Sequence, residues 1–306
     1  MTWLKIGITV IGLWVVLTKF DLNLMRQTLT QARLGWVLVA FLLVIGSLVV
    51  RAYRWWLLLQ GLGATIKLKR LVALYFVGNF YNAFLPSGFG GDVVRVVEVA
   101  QEVDAGVAAG TVLVDRLTGL LVLFALALLS LPFRPADFPP TLLWPIVGLC
   151  GVGLAAGAVI LQGDLALTIV GWLPGWLEGR VMGFVRPMLT AVRQCGHQAV
   201  GRALAVSAFF TLFMIGWWFA AAQALGFAIP LSYLLLVIPI LSISLLIPSV
   251  GGLGVRETLA PVLFAGVNLL PAQAAALALV VFLVERLSGL LGAPIYIASL
   301  LRKRAE

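Results

Sequence analysis

Long apolar runs alternate with short polar segments along the whole chain. Six of these runs are close to the roughly 20 residues that a helix needs to cross a bilayer. They cover 3–18, 35–59, 107–131, 143–161, 203–225 and 272–298. Two shorter runs, 71–85 and 231–247, each end in proline and glycine and continue into a second short segment, 92–104 or 255–267. The pattern predicts an all-α polytopic membrane protein with a single transmembrane domain over 1–306.

The two shorter runs either cross the membrane, which gives eight crossing helices, or turn back as re-entrant hairpins. If all runs cross, the basic residues are divided almost evenly between the two faces. If 71–104 and 231–267 are hairpins, the basic clusters near Lys67, Arg186 and Arg302 share one face. Since cytoplasmic loops carry an excess of Lys and Arg, the charges favour about six full spans plus two hairpins, with both termini in the cytoplasm. Eight crossings stay an open alternative.

The hairpin interpretation divides the chain into two similar units of opposite orientation. The first repeat covers 35–131, the second covers 203–298, and 143–161 connects them. This arrangement is an inverted-topology repeat, which is common in transporters. The segment 175–197 has apolar residues at helical spacing and arginines on another face, which predicts an amphipathic helix on the cytoplasmic surface.

Composition agrees with this interpretation, since 62% of the residues are hydrophobic and only 11% are charged. The formal charge of +9 follows from basic loops beside membrane spans, so we expect no nucleic-acid partner. The single histidine, His197, and two cysteines without zinc spacing predict no metal site and no cofactor. The sequence has no P-loop, Cys-x-x-Cys or Ser-His-Asp set, so we expect no catalytic residues and no enzyme activity.

One motif occurs twice. Each copy has a Pro/Gly break, an arginine just past it, and an acid–arginine pair inside a later apolar run. The first copy is Pro86-Ser87-Gly88-Phe89-Gly90-Gly91-Asp92 with Arg95, then Asp115-Arg116. The second copy is Pro248-Ser249-Val250-Gly251-Gly252-Leu253-Gly254 with Arg256-Glu257, then Glu285-Arg286. Duplicated breaks in corresponding halves of a membrane protein predict a transport site near the midplane, whereas a single break would be read as a kink.

The chemistry of this motif suits an anion. A helix that begins after a break offers free N–H groups and partial positive charge, and Asp92 suits the cap of the first such helix. Ionisable groups at membrane depth usually pair or line a pathway, so structural ion pairs are the competing interpretation. The arginines exceed the nearby acids by one, and guanidinium binds phosphate in a bidentate manner. We therefore predict a lipid phosphate as the ligand.

Arg51 and Arg54 lie beside two tryptophans near the end of the second span. They are either interfacial anchors or ligands of the headgroup. The full set of predicted substrate-binding residues is Arg51, Arg54, Ser87, Gly88, Gly90, Gly91, Asp92, Arg95, Asp115, Arg116, Ser249, Gly251, Gly252, Gly254, Arg256, Glu257, Glu285 and Arg286.

Several segments together resemble the flippase-like family, the transmembrane region of lysylphosphatidylglycerol synthases, which also occurs as stand-alone inner-membrane proteins. They are Arg54-Trp55, 79–86, Gly90-Gly91-Asp92 with Arg95, Asp115-Arg116, and 251–254 with Arg256-Glu257. The resemblance covers nearly the whole chain and implies translocation of a lipid between leaflets. Since the sequence ends at Glu306, directly after the last apolar run, we expect a stand-alone member without the soluble aminoacyl-transfer domain.

These observations predict a multi-pass flippase-like transporter of a prokaryotic inner membrane. Its partners would be membrane lipids: an anionic or phosphate-containing phospholipid, aminoacyl-phospholipid or polyprenyl phosphate, moved by alternating access. The alternative is a non-transporting membrane accessory that binds either lipid or a lipid-modifying enzyme, and such an enzyme would be a separately encoded partner. A transferase acting on a polyprenyl phosphate is disfavoured by the missing catalytic set. The sequence leaves open whether the chain forms a homo-oligomer.

Overall fold

The computed structural model describes residues 2–84, 90–134, 138, 140–162, 167–169, 171–172, 175–243 and 254–305. Within these residues the chain forms twelve α-helices and no β-strand. The helices are α1 (Thr2–Lys19), α2 (Leu22–Thr30), α3 (Leu34–Gly61), α4 (Leu68–Phe84), α5 (Gly90–Val99), α6 (Ala105–Ser130), α7 (Pro140–Gln162), α8 (Gly175–Ala224), α9 (Leu231–Ile243), α10 (Val255–Phe264), α11 (Pro271–Leu290) and α12 (Gly292–Ala305).

Five helical segments in the described part of the chain are long and apolar enough to cross a membrane. They are Leu34–Gly61, Ala105–Phe133, Pro140–Gln162, Val181–Ala224 and Pro271–Ser299. Each overlaps one of the predicted apolar runs, and the predicted run 3–18 forms α1, which has 18 residues. The predicted class, an all-α polytopic membrane protein, is confirmed.

The predicted surface segment 175–197 is helical and forms the first part of α8. Gly196, where φ is 76° and ψ is 154°, breaks the helix and divides this segment from the span that follows. Its apolar side chains, including Leu189 and Val192, pack on α3, α6 and α7, while Arg186 and Arg193 are exposed. The amphipathic pattern is therefore real, and its apolar face is covered by protein. Its location in the cytoplasm stays a prediction.

Helices α4 and α5 form the first hairpin. At its base Arg70 forms an ion pair with Glu102, and its guanidinium donates to the carbonyl of Glu98 at 3.2 Å. Near its tip the N–H of Gly91 donates to the Asn82 side-chain oxygen at 2.8 Å. The two helices are therefore antiparallel. With 10 residues, α5 is about 15 Å long, which is too short for a hydrocarbon core of about 30 Å.

Helices α9 and α10 form the second hairpin. The Tyr233 hydroxyl, near the start of α9, donates to the carbonyl of Leu263, near the end of α10. The rings of Tyr233 and Phe264 lie 6.3 Å apart. This pairing also makes the helices antiparallel. They have 13 and 10 residues, or about 20 and 15 Å, so neither spans the bilayer alone.

Helices α3 and α8 run antiparallel along the bundle and define its two ends. At one end Gly61 lies against the backbone of Cys195, close to the bend in α8. At the other end the N–H of Arg33 donates to the carbonyl of Ala224 at 2.8 Å. We call the end at Gly61 and Cys195 the terminal face, and the end at Arg33 and Ala224 the distal face.

The two hairpins enter from opposite faces. The first begins at the terminal face, where the Trp56 indole N–H donates to the carbonyl of Ile66 just before α4 at 3.2 Å. The second begins at Leu231, directly after the end of α8 at the distal face. Helix α11 starts at the distal face, packs antiparallel to α4 and is followed by α12, which runs toward the terminal face. The division into repeats at 35–131 and 203–298 stays a prediction.

Candidate functional site

Asp115, on α6, is the centre of a buried polar cluster. Its side chain is only 1% exposed. Its two oxygens accept hydrogen bonds from three helices: from Arg54 Nε on α3 at 2.6 Å, from Tyr75 Oη on α4 at 2.5 Å, and from Arg95 Nη1 on α5 at 3.3 Å. A buried carboxylate requires such partners because leaving it unpaired in a dry interior is costly. Asp115 therefore ties the first hairpin to two membrane spans.

Asp92 extends this cluster. It is the third residue of α5 and lies inside the first turn, so the prediction that it caps the helix is wrong. Its carboxylate instead accepts hydrogen bonds from Arg95 and Arg116. The Ser207 hydroxyl on α8 accepts from Arg54 Nη1 at 2.9 Å. Because Arg54 is 4% exposed inside this network, it is not an interfacial anchor.

Arg51 lies one helical turn before Arg54 and differs from the other arginines of the cluster. Its guanidinium carbon lies 5.3 Å from the Tyr75 ring centroid and 5.7 Å from that of Phe210. Among the described residues it has no carboxylate partner and no hydrogen bond. It is half-buried and rests on aromatic faces, which stabilise a cation only modestly.

The cluster carries more positive than negative charge. Four arginines face two aspartates, a formal excess of two positive charges: Arg51, Arg54, Arg95 and Arg116 against Asp92 and Asp115. Ionisable groups inside a membrane protein normally pair with one another or line a pathway. A bound anion would balance this excess of positive charge.

A small polar cavity adjoins Arg51. Its volume is about 10 Å³, room for about one water molecule. It is lined by Leu48, Arg51, Tyr75, Gly78, Asn79, Asn82, Asp92 and Arg95. All of these residues come from α3 and the first hairpin. A ligand larger than water therefore requires these two elements to separate.

The second motif copy forms a smaller cluster at the start of α10. Arg256 Nη1 forms an ion pair with Glu285 Oε2 at 2.7 Å. The N–H of Gly254, whose φ of 84° favours glycine, donates to Glu257 Oε2 at 2.7 Å. In the described part of the chain, Arg256 Nε and Glu257 Oε1 are buried and have no hydrogen-bond partner.

Consecutive residues of α11 join the two hairpins. Glu285 pairs with Arg256 on the second hairpin, while Arg286 Nη1 donates to the carbonyls of Asn82 and Ala83 at 2.8 Å each. Those carbonyls lie in the last turn of α4, where helix carbonyls lack partners within the helix. The Asn79 amide adds a hydrogen bond to Ser288 at 3.1 Å. The structure thus brings the two motif copies together on α11.

The remaining predicted residues fall into two groups. Gly90 and Gly91 begin α5, and a side chain at Gly91 would collide with the carbonyl of Gly78. Five others lie outside the described residues: Ser87, Gly88, Ser249, Gly251 and Gly252. Within the part of the chain that the structure describes, no group of three or more His, Cys, Asp or Glu side chains could hold a metal ion.

Five contributors to the site were missed by the sequence analysis. They are Tyr75, Asn79, Asn82, Ser207 and Ser288. The two asparagines carried a usable signal, because amides three residues apart in an apolar run share one helix face. A tyrosine or a serine in a span carries no such signal, since both occur there without a specific partner.

Comparison with known families gives one match. A family model described as the lysylphosphatidylglycerol synthase TM region matches residues 2–292, which include both hairpins and both motif copies. No curated protein and no solved structure matches the chain.

Proposed function

Because this chain belongs to the lysylphosphatidylglycerol synthase TM region family, as its motifs predicted, we propose that its membrane-lipid-related function is that of a flippase. It moves a phosphate-containing lipid between the leaflets and catalyses no reaction. The observation that carries this proposal is the excess of two positive charges beside the polar cavity of the first hairpin.

A lipid phosphate supplies the missing negative charge. Breaking or omitting one partner of a buried ion pair costs about 3–5 kcal/mol, so an unmatched guanidinium inside the bundle favours an anionic ligand. Arg51 and Arg95 line the same cavity, and the Asn79 and Asn82 amides add polar groups there. Guanidinium groups bind phosphate oxygens by two parallel hydrogen bonds, which suits a headgroup phosphate.

The opposite entry of the hairpins supports alternating access. Separation of the first hairpin from α3 would open the cavity toward one side of the membrane, and movement of the second would open the other. Since α11 contacts both hairpins through Glu285 and Arg286, a shift of one hairpin changes contacts of the other. The acyl chains stay in the bilayer throughout, so only the headgroup enters the bundle.

We infer that the terminal face lies in the cytoplasm of a prokaryotic cell with the protein in its inner membrane. The segments at the terminal face carry eleven basic residues: Lys5, Lys67, Lys69, Arg70, Arg180, Arg186, Arg193, Arg202, Arg302, Lys303 and Arg304. Those at the distal face carry four: Lys19, Arg26, Arg33 and Arg134. This asymmetry follows the positive-inside rule.

Proteoliposomes containing the purified protein test the proposal. Lipids with a labelled headgroup are supplied one at a time: phosphatidylglycerol, phosphatidylethanolamine, a polyprenyl phosphate, and ceramide as a neutral control. Loss of label to a membrane-impermeant quencher reports movement across the bilayer. We expect at least one phosphate lipid to move faster than in protein-free liposomes, and ceramide not to. If a phosphate lipid binds but none moves, the protein is an accessory that holds lipid, and the flippase proposal fails.

A further inference from the structure

Glu257 is a buried carboxyl group that the anion site does not use. One oxygen, Oε2, accepts the N–H of Gly254 at 2.7 Å. The other, Oε1, has no hydrogen-bond partner among the residues that the structure describes. The residue is 2% exposed. A carboxylate in this position would keep a negatively charged oxygen away from water and without a hydrogen-bonded cation.

Helix α1 closes this position from outside. Gly12 lies directly on Gly254, so that a Cβ on Gly12 would be 2.5 Å from the Gly254 Cα, and the carbonyl of Thr9 is also close. The contact between two glycines brings the backbones together and excludes water from the start of α10.

The neighbouring charges do not neutralise Glu257. Helices α1, α9 and α11 pack on α10, and Trp218 of α8, from a stretch without charged residues, stacks on Phe264. The ionisable residues of α1 are Lys5 and Lys19, which lie near its ends, and that of α9 is Tyr233, at its far end. Helix α11 contributes Glu285 and Arg286, and α10 itself contributes Arg256 beside Glu257. Arg256 directs its Nη1 to Glu285, and Arg286 directs its Nη1 to the tip of the first hairpin. Glu285 itself adds negative charge to the cluster.

We propose that Glu257 carries a proton in this conformation and is the site at which proton movement is coupled to lipid movement. The positive end of the α10 dipole favours the carboxylate. Its effect is smaller than the cost of burying a carboxylate without a counter-ion, so burial decides the balance. The coupling part of the proposal rests on the proposed flippase function; the protonation part does not.

The structure also contains the partner for the deprotonated form. Arg256 Nε is buried and has no partner in the described part of the chain. When the contact between Gly12 and Gly254 opens, water reaches Glu257, the O–H bond breaks, and the proton goes to that water. The resulting carboxylate then competes with Glu285 for Arg256. Loss of the Arg256–Glu285 pair would loosen the second hairpin from α11, which links protonation to hairpin movement.

Infrared spectroscopy of the reconstituted protein tests protonation directly. At neutral pH the wild type should show the C=O stretching band of a protonated carboxyl group, and Glu257→Gln should lack it. Asp21→Asn is the matched control, because Asp21 is an exposed carboxylate at a helix cap and asparagine preserves the cap. That variant should keep the band. Glu257→Asp retains a carboxyl group, so it should shift the band rather than remove it. A shifted band in this variant shows that the band disappears from Glu257→Gln because the carboxyl group is absent, and not because the protein is unfolded. A band that persists in Glu257→Gln, or a wild type without any band, overturns the proposal.

The coupling is measured with the same variants in liposomes under an imposed pH gradient. The wild-type rate of lipid movement should change with the gradient, while Glu257→Gln should move lipid at a rate that does not respond to it. If Glu257→Gln still responds, the coupling proposal is wrong even where the infrared band disappears. If no protein moves any lipid, the flippase proposal fails, and the infrared result still decides whether Glu257 is protonated.

Discussion

The two copies of the duplicated motif have similar sequences but different surroundings. In the first, Asp115 is 1% exposed and both of its oxygens accept hydrogen bonds. In the second, Glu285 is 25% exposed and Glu257 Oε1 has no partner among the described residues. The first copy has four arginines and two aspartates, whereas the second has two arginines and two glutamates, of which we propose that Glu257 is protonated. The comparison separates an anchored anion site from a looser, protonatable one.

The spans that precede the two copies explain this difference. The run 35–59 contributes Arg51 and Arg54 to the first cluster, while the run 203–225 contains no charged residue. The second copy therefore receives no extra guanidinium from its preceding span. Two similar motifs acquire different chemistry because the helix that packs beside each one differs.

The largest expected difference between the copies is in stability. Asp115→Asn leaves the guanidinium groups of Arg54 and Arg95 buried without their shared carboxylate, and we expect a loss of about 3–5 kcal/mol. Glu285→Gln removes a carboxylate that is 25% exposed and that pairs with one arginine, Arg256, so it should cost less than Asp115→Asn. Thermal unfolding in detergent, followed by tryptophan fluorescence, compares the two variants. Equal melting temperatures of the two variants would contradict the claim that the first copy is held more firmly than the second.

Much of this fold could be predicted from the sequence, because lengths of apolar runs and positions of Pro and Gly directly limit helices in a bilayer. The two hairpins and the duplicated acid–arginine pairs follow from that reasoning. The partners could not be predicted. Tyr75 and Ser207 meet the arginines across the fold, and Arg286 binds backbone carbonyls of another helix. Such contacts depend on helix rotation and packing, which hydropathy does not encode.

A second prediction concerns the connection between the hairpins. Arg286→Gln shortens the side chain that reaches the two carbonyls at the tip of the first hairpin, so we expect a loss of about 1.5–3 kcal/mol, the contribution of hydrogen bonds to a charged group. Arg116→Gln is the matched variant in the first copy, and its side chain is 35% exposed. It should cost less. Hydrogen exchange at the end of α4 should increase only in Arg286→Gln; equal exchange in both variants would show that α11 does not hold the tip.

The smallest expected effect concerns the closure of the second copy by α1. In Gly12→Ala the new methyl group meets the Gly254 backbone at 2.5 Å, and overpacking of this kind costs about 1–3 kcal/mol. Gly7→Ala is the control on the same helix, because a Cβ at Gly7 meets nothing within 4 Å. Melting temperature should fall in Gly12→Ala and not in Gly7→Ala. The same melting temperature in both variants would mean that α1 does not pack closely on α10.

The central claim is that unmatched positive charge in the first copy binds the phosphate of the moving lipid, and Arg51 tests it most directly. The measurement is the rate of phosphate-lipid movement in proteoliposomes containing wild type, Arg51→Gln, or Arg33→Gln, an exposed control at the distal face. A charged hydrogen bond contributes about 1.5–3 kcal/mol, so Arg51→Gln should lower the rate roughly tenfold or more. Arg33→Gln should leave it unchanged. Wild-type movement in Arg51→Gln would contradict the account.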